Sequence, residues 1–209
     1  ALKWTQDEAL RLVVWILAQV KFKDYQKDNE KIPKFTHDKL VDNLYPFWGR
    51  KLGKDGSNEA FSSRWILAAL SDLNLQIQAR DIIRFLEAVT TNYTDKDMYY
   101  HDRILLPGDI KRAIIPCSQK KLEEITMEMQ DLKPIFANLK NPGSEKKKEL
   151  PIKVDEMILN STERSLLEVR GYLQLAENAY YIPEIIRHAL GYKYHHGSRP
   201  RVLSLSPKQ

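Results

Sequence analysis

Two short runs of this 209-residue chain place guanidinium groups where they could do chemistry. In the first, Arg80, Asp81 and Arg84 open the amphipathic stretch Ala79 to Val89. A guanidinium near a helix start can fork onto phosphate oxygens. Arg80, Asp81 and Arg84 place two such cations and a carboxylate within about one turn of that stretch's start. In the second run, Arg187 and His188 lie within Tyr180 to Gly191, and Lys193, Arg199 and Arg201 follow. These side chains suit the phosphates and base edges of a nucleic acid. Each run also has a plainer explanation. Asp81 complements a helix dipole, and Arg80 and Arg84 make surface or interdomain ion pairs. The helix holding Arg187 is mostly apolar (Ile182, Ile185, Ile186, Ala189, Leu190), which suits a protein contact as well as DNA.

Other residue patterns exclude whole classes of chemistry. The chain has no G-x-x-x-x-G-K-[ST] phosphate loop, no G-x-G-x-x-G turn, no H-E-x-x-H helix and no G-x-S-x-G elbow. Gly53-Lys54-Asp55-Gly56 has the wrong spacing for a phosphate loop and reads as an exposed surface loop. Glu123-Glu124 belongs to a helical charge pattern, and His195-His196 to a basic loop. Cys117 is the single cysteine, so an internal disulfide and a cysteine-rich zinc site are both excluded. It follows Pro116, near an expected helix start, and reads as a buried spectator thiol. The expectation is of no catalytic residue, no metal and no cofactor in this chain.

The elements that must position these residues are mostly helical. Thr5 is the expected N-cap of a long helix to about Gln26, with Asp7 and Glu8 in its first turn and Leu10, Val13, Val14, Leu17 and Val20 at helical spacing. Thr36 caps a second helix that stops before Pro46, and Ser57 or Asn58 starts a third, carrying Phe61, Trp65, Ile66, Ala69 and Leu70. A turn at Asp72 to Asn74 precedes the Ala79 helix, and Tyr93 to Asp102 is a loop. Pro107-Gly108-Asp109 opens a short helix, Ser118 a longer one, and Pro134 a last turn or two. Asn141 to Glu149 combines turn formers with a charge run and marks a solvated linker. Beyond it, Ser161 or Thr162 caps a helix ended by Gly171, Tyr172 to Leu175 forms a short strand, Glu184 to Leu190 forms a helix between Pro183 and Gly191, and Arg199 to Leu205 forms a strand. The fold class is mainly α: a helical bundle over 1–139, a charged linker over 140–151, and a small winged-helix-like α+β domain over 152–209.

Net charge is +5 and uneven, since no acidic residue follows Glu184. No apolar run is long enough to span a bilayer and no signal peptide is apparent, so a cytoplasmic protein without a membrane partner is expected. The opening Ala1-Leu2-Lys3-Trp4, without an initiator methionine, reads as a piece of a longer polypeptide.

The Trp65-Ile66-Leu67 helix, the turn after it and Arg80-Asp81-Ile82-Ile83-Arg84-Phe85-Leu86 resemble the helical domain that follows the core of bacterial P-loop ATPases of the STAND and AAA+ type. That family carries a Pro-Arg-Asp-Leu-Ile-like helix, with Ala79 here in place of the frequent proline. The resemblance is best over Phe61 to Val89 and looser back to Trp4. Tyr180 to Gly191 with Gly197 to Leu203 is similar to the C-terminal wing of the same group. The resemblance implies a regulatory C-terminal region whose missing core binds ATP, with Arg80 reaching back to nucleotide phosphates. Its partners would be that core and a DNA or protein target. The alternative is a stand-alone winged-helix DNA-binding regulator.

Overall fold

The computed structural model describes residues 4–20, 30–91, 100–143 and 147–195. Among them the chain is mainly helical, with a small amount of sheet. It divides into two compact units: 1–67 with 76–113, and 68–75 with 114–209.

In the first unit, helix α1 (Gln6–Gln19) starts where Thr5 was expected to cap it. The Thr5 hydroxyl accepts from the Glu8 N–H at 3.3 Å, and the Glu8 carboxylate accepts from the Thr5 N–H at 2.7 Å. These reciprocal bonds satisfy two donors that a helix start leaves open. The helix ends at Val20, and the expected continuation over 21–26 lies outside the described residues. Leu10, Val13, Val14 and Leu17 line its buried face, which packs against α2 (His37–Trp48) and α4 (Ala79–Thr91). Those helices contribute Leu40, Leu44 and Trp48, and Ile82, Phe85 and Val89.

Helix α2 corrects the expected stop before Pro46, because the proline lies inside it and Gly49, at φ 75°, ends it. Proline costs a helix one N–H donor, but here Phe47 and Trp48 just beyond it are buried, and the Trp48 indole donates to Ser63 Oγ at 3.1 Å. That burial carries the helix past the break. Helix α3 (Ser62–Leu70) begins later than Ser57 or Asn58.

A second correction concerns α5 (Pro107–Glu128), which is one helix with Pro116 inside it, not two. Ile110, Ala113, Ile114, Cys117 and Ser118 are buried along it on both sides of the proline. Cys117 is therefore a buried mid-helix thiol and stands far from a helix start.

The second unit holds the rest of α5, α6 (Lys133–Lys140), α7 (Ser161–Val169) and α8 (Glu184–Leu190). Its strands are β1 (Glu149–Leu150), β2 (Ile152–Lys153), β3 (Gln174–Ala176), β4 (Ala179–Tyr181) and β5 (Lys193–Tyr194). Strand β1 pairs in parallel with β5, while β2, β4 and β3 form an antiparallel sheet in that order. The cap of α7 is Asn160, one residue before the expected Ser161, and it forms a second capping box with Glu163. Gly171, at φ 76°, follows the helix end as expected, and Pro183 and Gly191 bracket α8. Strand β4 was not foreseen, and Tyr172 and Leu173 are buried residues ahead of β3. By contact, the chain parts near 113 and around 68–75, so 140–151 lies within the second unit. The end of the charge run is held there as β1. The expected strand over 199–205 and loop over 93–99 lie outside the described residues.

Candidate functional site

Helix α4 sorts the first candidate group into inward and outward members. Asp81 is 2% exposed and its carboxylate accepts from Arg84 Nη1 at 3.3 Å. Arg80 is exposed on the same first turn. Helical spacing puts Arg80, Ile83 and Glu87 along one stripe, and all three are exposed, Ile83 to 45%. The inward pair anchors the turn, and the outward stripe offers a guanidinium followed by an apolar side chain.

The second group is distributed differently. Glu184 is buried, and its carboxylate accepts from Arg187 Nε at 2.9 Å and Nη2 at 2.9 Å. Arg187 Nη1 also donates to the Tyr192 carbonyl at 2.7 Å, and the guanidinium lies 4.9 Å from the Tyr194 ring centre. Arg187 Nη2 contacts His188 Nε2 at 2.8 Å. Burial, and then the Arg187 charge, hold the His188 imidazole below its usual pKa, with Glu184 opposing. Burial together with Glu184 pushes the Tyr194 phenol well above its ordinary value. These charges hold α8 to the chain that leaves it. Lys193 is exposed on β5, while Arg199 and Arg201 lie outside the described residues.

Two arrangements carry no periodic signal. The loop after α2, expected to be exposed, has Leu52 and Gly53 buried. Beneath it, the Arg103 side chain is 1% exposed. Arg103 donates to the carbonyls of Lys51 and Gly53 and to both Asp102 oxygens, and stands 4.7 Å from the Tyr100 ring centre. That bonding holds the Asp102 carboxyl below the usual range. A Cβ at Gly49 would overlap the guanidinium, so glycine is needed there for space as well as for its positive φ. The other arrangement is the turn after α3. Leu73 N–H donates to the Gly171 carbonyl at 2.8 Å, and Asn74 Nδ2 to the Val169 carbonyl at 3.3 Å.

A cleft of about 710 Å³ in the second unit mixes Lys147, Glu149, Lys153, Glu156 and His195 with Ile152 and Met157. Among the described residues, no three His, Cys, Asp or Glu side chains are placed to hold a metal ion, and no helix is long and apolar enough to cross a membrane. No protein-family model matches the chain, and neither curated proteins nor solved structures give a match.

Proposed function

We propose that this chain is the helical lid and winged-helix region of a STAND/AAA+-like P-loop ATPase, acting in the cytoplasm and coupling the nucleotide state of a core elsewhere in the polypeptide to assembly or target binding. The exposed stripe of α4 carries the reading. A first-turn guanidinium sits where helix N–H groups and the dipole favour an anion, and Ile83 one turn on offers an apolar contact to the surface that holds it. The Asp81–Arg84 pair fixes the turn from within. On this reading the chemistry belongs to ATP in the core, and the chain supplies Arg80 as a phosphate contact.

The test is ATP hydrolysis by the full polypeptide in which the chain occurs. Loss of one charge-assisted contact is worth about 1.5–3 kcal/mol, so Arg80→Ala should slow turnover about 10- to 100-fold. Unchanged turnover removes Arg80 from the site.

A second reading, a stand-alone winged-helix DNA-binding regulator, draws on the β2–α7–β3–β4 order with sheet order β2–β4–β3. That order resembles a winged helix in which α7 precedes the hairpin, so Arg164 of α7 becomes the groove candidate in place of Arg187, which is bonded to Glu184, and of Arg170, which is paired with Asp131. Fluorescence anisotropy with duplex DNA at two salt concentrations separates the readings. Binding that weakens steeply with salt supports this one, and no binding at low salt eliminates it.

A further inference from the structure

Helix α1 carries a stripe of side chains whose spacing reads the same in both directions. Trp4 stands just ahead of the Thr5 cap, and Glu8, Arg11 and Trp15 follow it at intervals of four, three and four residues. Those intervals keep the four positions within one narrow sector of a helix. Leu10, Val13, Val14 and Leu17 occupy the opposite side and are buried against α2 and α4, so the stripe is turned away from the core of the first unit. Trp15 is 49% exposed and Glu8 is exposed, while Trp4 and Arg11 are half-buried. The helical rise sets the two indoles roughly 16 Å apart. Between α1 and the short turn Ile32–Lys34 runs a groove of about 460 Å³, lined by this stripe with Leu12, Ile32 and Pro33.

Both charges of the stripe are held in place by the fold. Glu8 Oε2 accepts from the Thr5 N–H at 2.7 Å and from the Thr5 hydroxyl at 2.8 Å. Arg11 Nε donates to the Ile32 carbonyl at 3.4 Å and Nη2 to the Phe35 carbonyl at 3.2 Å, and a guanidinium has further N–H donors to offer. An indole at each end and one charge of each sign between them make the stripe complementary to itself. In an antiparallel two-fold pairing of α1 with α1 of a second copy, the axis passes between Glu8 and Arg11. Trp4 of each copy then meets Trp15 of the other, and Glu8 of each meets Arg11 of the other. A parallel pairing sets Glu8 on Glu8 and Arg11 on Arg11, so charge selects the antiparallel one.

We infer that this stripe of α1 is an isologous interface through which two copies of the chain dimerise. The inference goes beyond the proposed function and does not rest on it, since it needs neither nucleotide nor a core. Tryptophan and arginine are the side chains that most often dominate such contacts. The stripe is short, so the contact belongs to the small, transient class, with dissociation on the order of 10–100 µM.

Sedimentation velocity of the whole chain from about 1 µM to about 500 µM tests it, because the dimer fraction follows protomer concentration. The natural chain should pass from monomer to dimer across that range. Trp15→Ala, at an exposed site, should raise the midpoint at least about tenfold. Glu8→Lys and Arg11→Glu each set like charges against one another in their own dimers, and each should weaken dimerisation about tenfold. Mixed in equal amounts, the two variants should dimerise with each other, because each supplies the charge the other lacks. Rescue on mixing cannot come from the parts Glu8 and Arg11 play within their own chain. Should a charge variant unfold, Trp15→Ala decides alone. A monomer at every concentration overturns the inference, whatever else covers the stripe. So does a dimer that Trp15→Ala leaves intact, or folded charge variants that stay monomeric on mixing. None of these results bears on ATP turnover in Arg80→Ala, which is read separately.

Discussion

Arg103 and Arg187 are bonded within the fold and mostly buried, whereas Arg80 is exposed. Three arginines of one type thus take opposite roles, and burial separates them. Replacing Arg103 by alanine strips the Lys51 and Gly53 carbonyls of their shared donor beneath a buried loop. Such orphaned groups should cost about 3 kcal/mol in a urea unfolding curve; a cost below about 1 kcal/mol would mean that water replaces the guanidinium freely. His188 supplies a pH dependence. Its folded pKa is depressed, while the unfolded chain takes up a proton near 6.5. The stability linked to it is therefore full above that value and is lost as pH falls toward the folded pKa. Unfolding midpoints compared from about pH 7.5 to about pH 5.5 should fall more steeply for the natural chain than for His188→Gln; parallel curves would contradict this. The role of Arg103 was not legible in sequence. Arg103 sits in an irregular segment and bonds to backbone carbonyls some fifty residues away. The spacing of Glu184, Arg187 and His188 at i, i+3 and i+4 did hold a signal for an internal charge cluster, since those positions share a helix face.

At the scale of elements, the legible features were those with local causes. Thr5 with Glu8, Pro183 with Gly191, and the amphipathic Ala79 stretch each announce their structure through groups within one or two turns. The prolines of α2 and α5 misled because burial beyond each one, at Trp48 and Cys117, is a tertiary effect. Two substitutions probe these elements. Asn160→Ala removes the cap of α7, where the Glu163 N–H donates to Asn160 at 2.9 Å, and should cost about 1 kcal/mol in thermal or urea unfolding. The β3–β4 hairpin turns through Glu177 at φ 50° and Asn178 at φ 60°. Glutamate is a poor choice for that backbone, so Glu177→Gly should raise stability by about 0.5–1 kcal/mol. A loss of stability there would mean that the Glu177 side chain holds the turn.

For the whole molecule, composition and helical periodicity revealed the mainly helical class and a small sheet near the C-terminal end. They did not reveal the division into units. The turn at 68–75 joins the second unit through bonds to Val169 and Gly171, almost a hundred residues along the chain, and no local pattern encodes that distance. The charge run after Asn141 likewise ends in β1, whose parallel partner β5 lies beyond α8. The candidate site was legible as a set of residue types. Which member faces outward depended on how α4 lies against α1. The central claim is that this chain senses a nucleotide held elsewhere through the outward face of α4. It is met most directly by ATP turnover of the full polypeptide, natural and Arg80→Ala, with Glu87→Gln on the same stripe as a control. A drop of about tenfold or more in Arg80→Ala alone is expected. Equal turnover in all three proteins, or no ATP hydrolysis by the natural polypeptide, would contradict it.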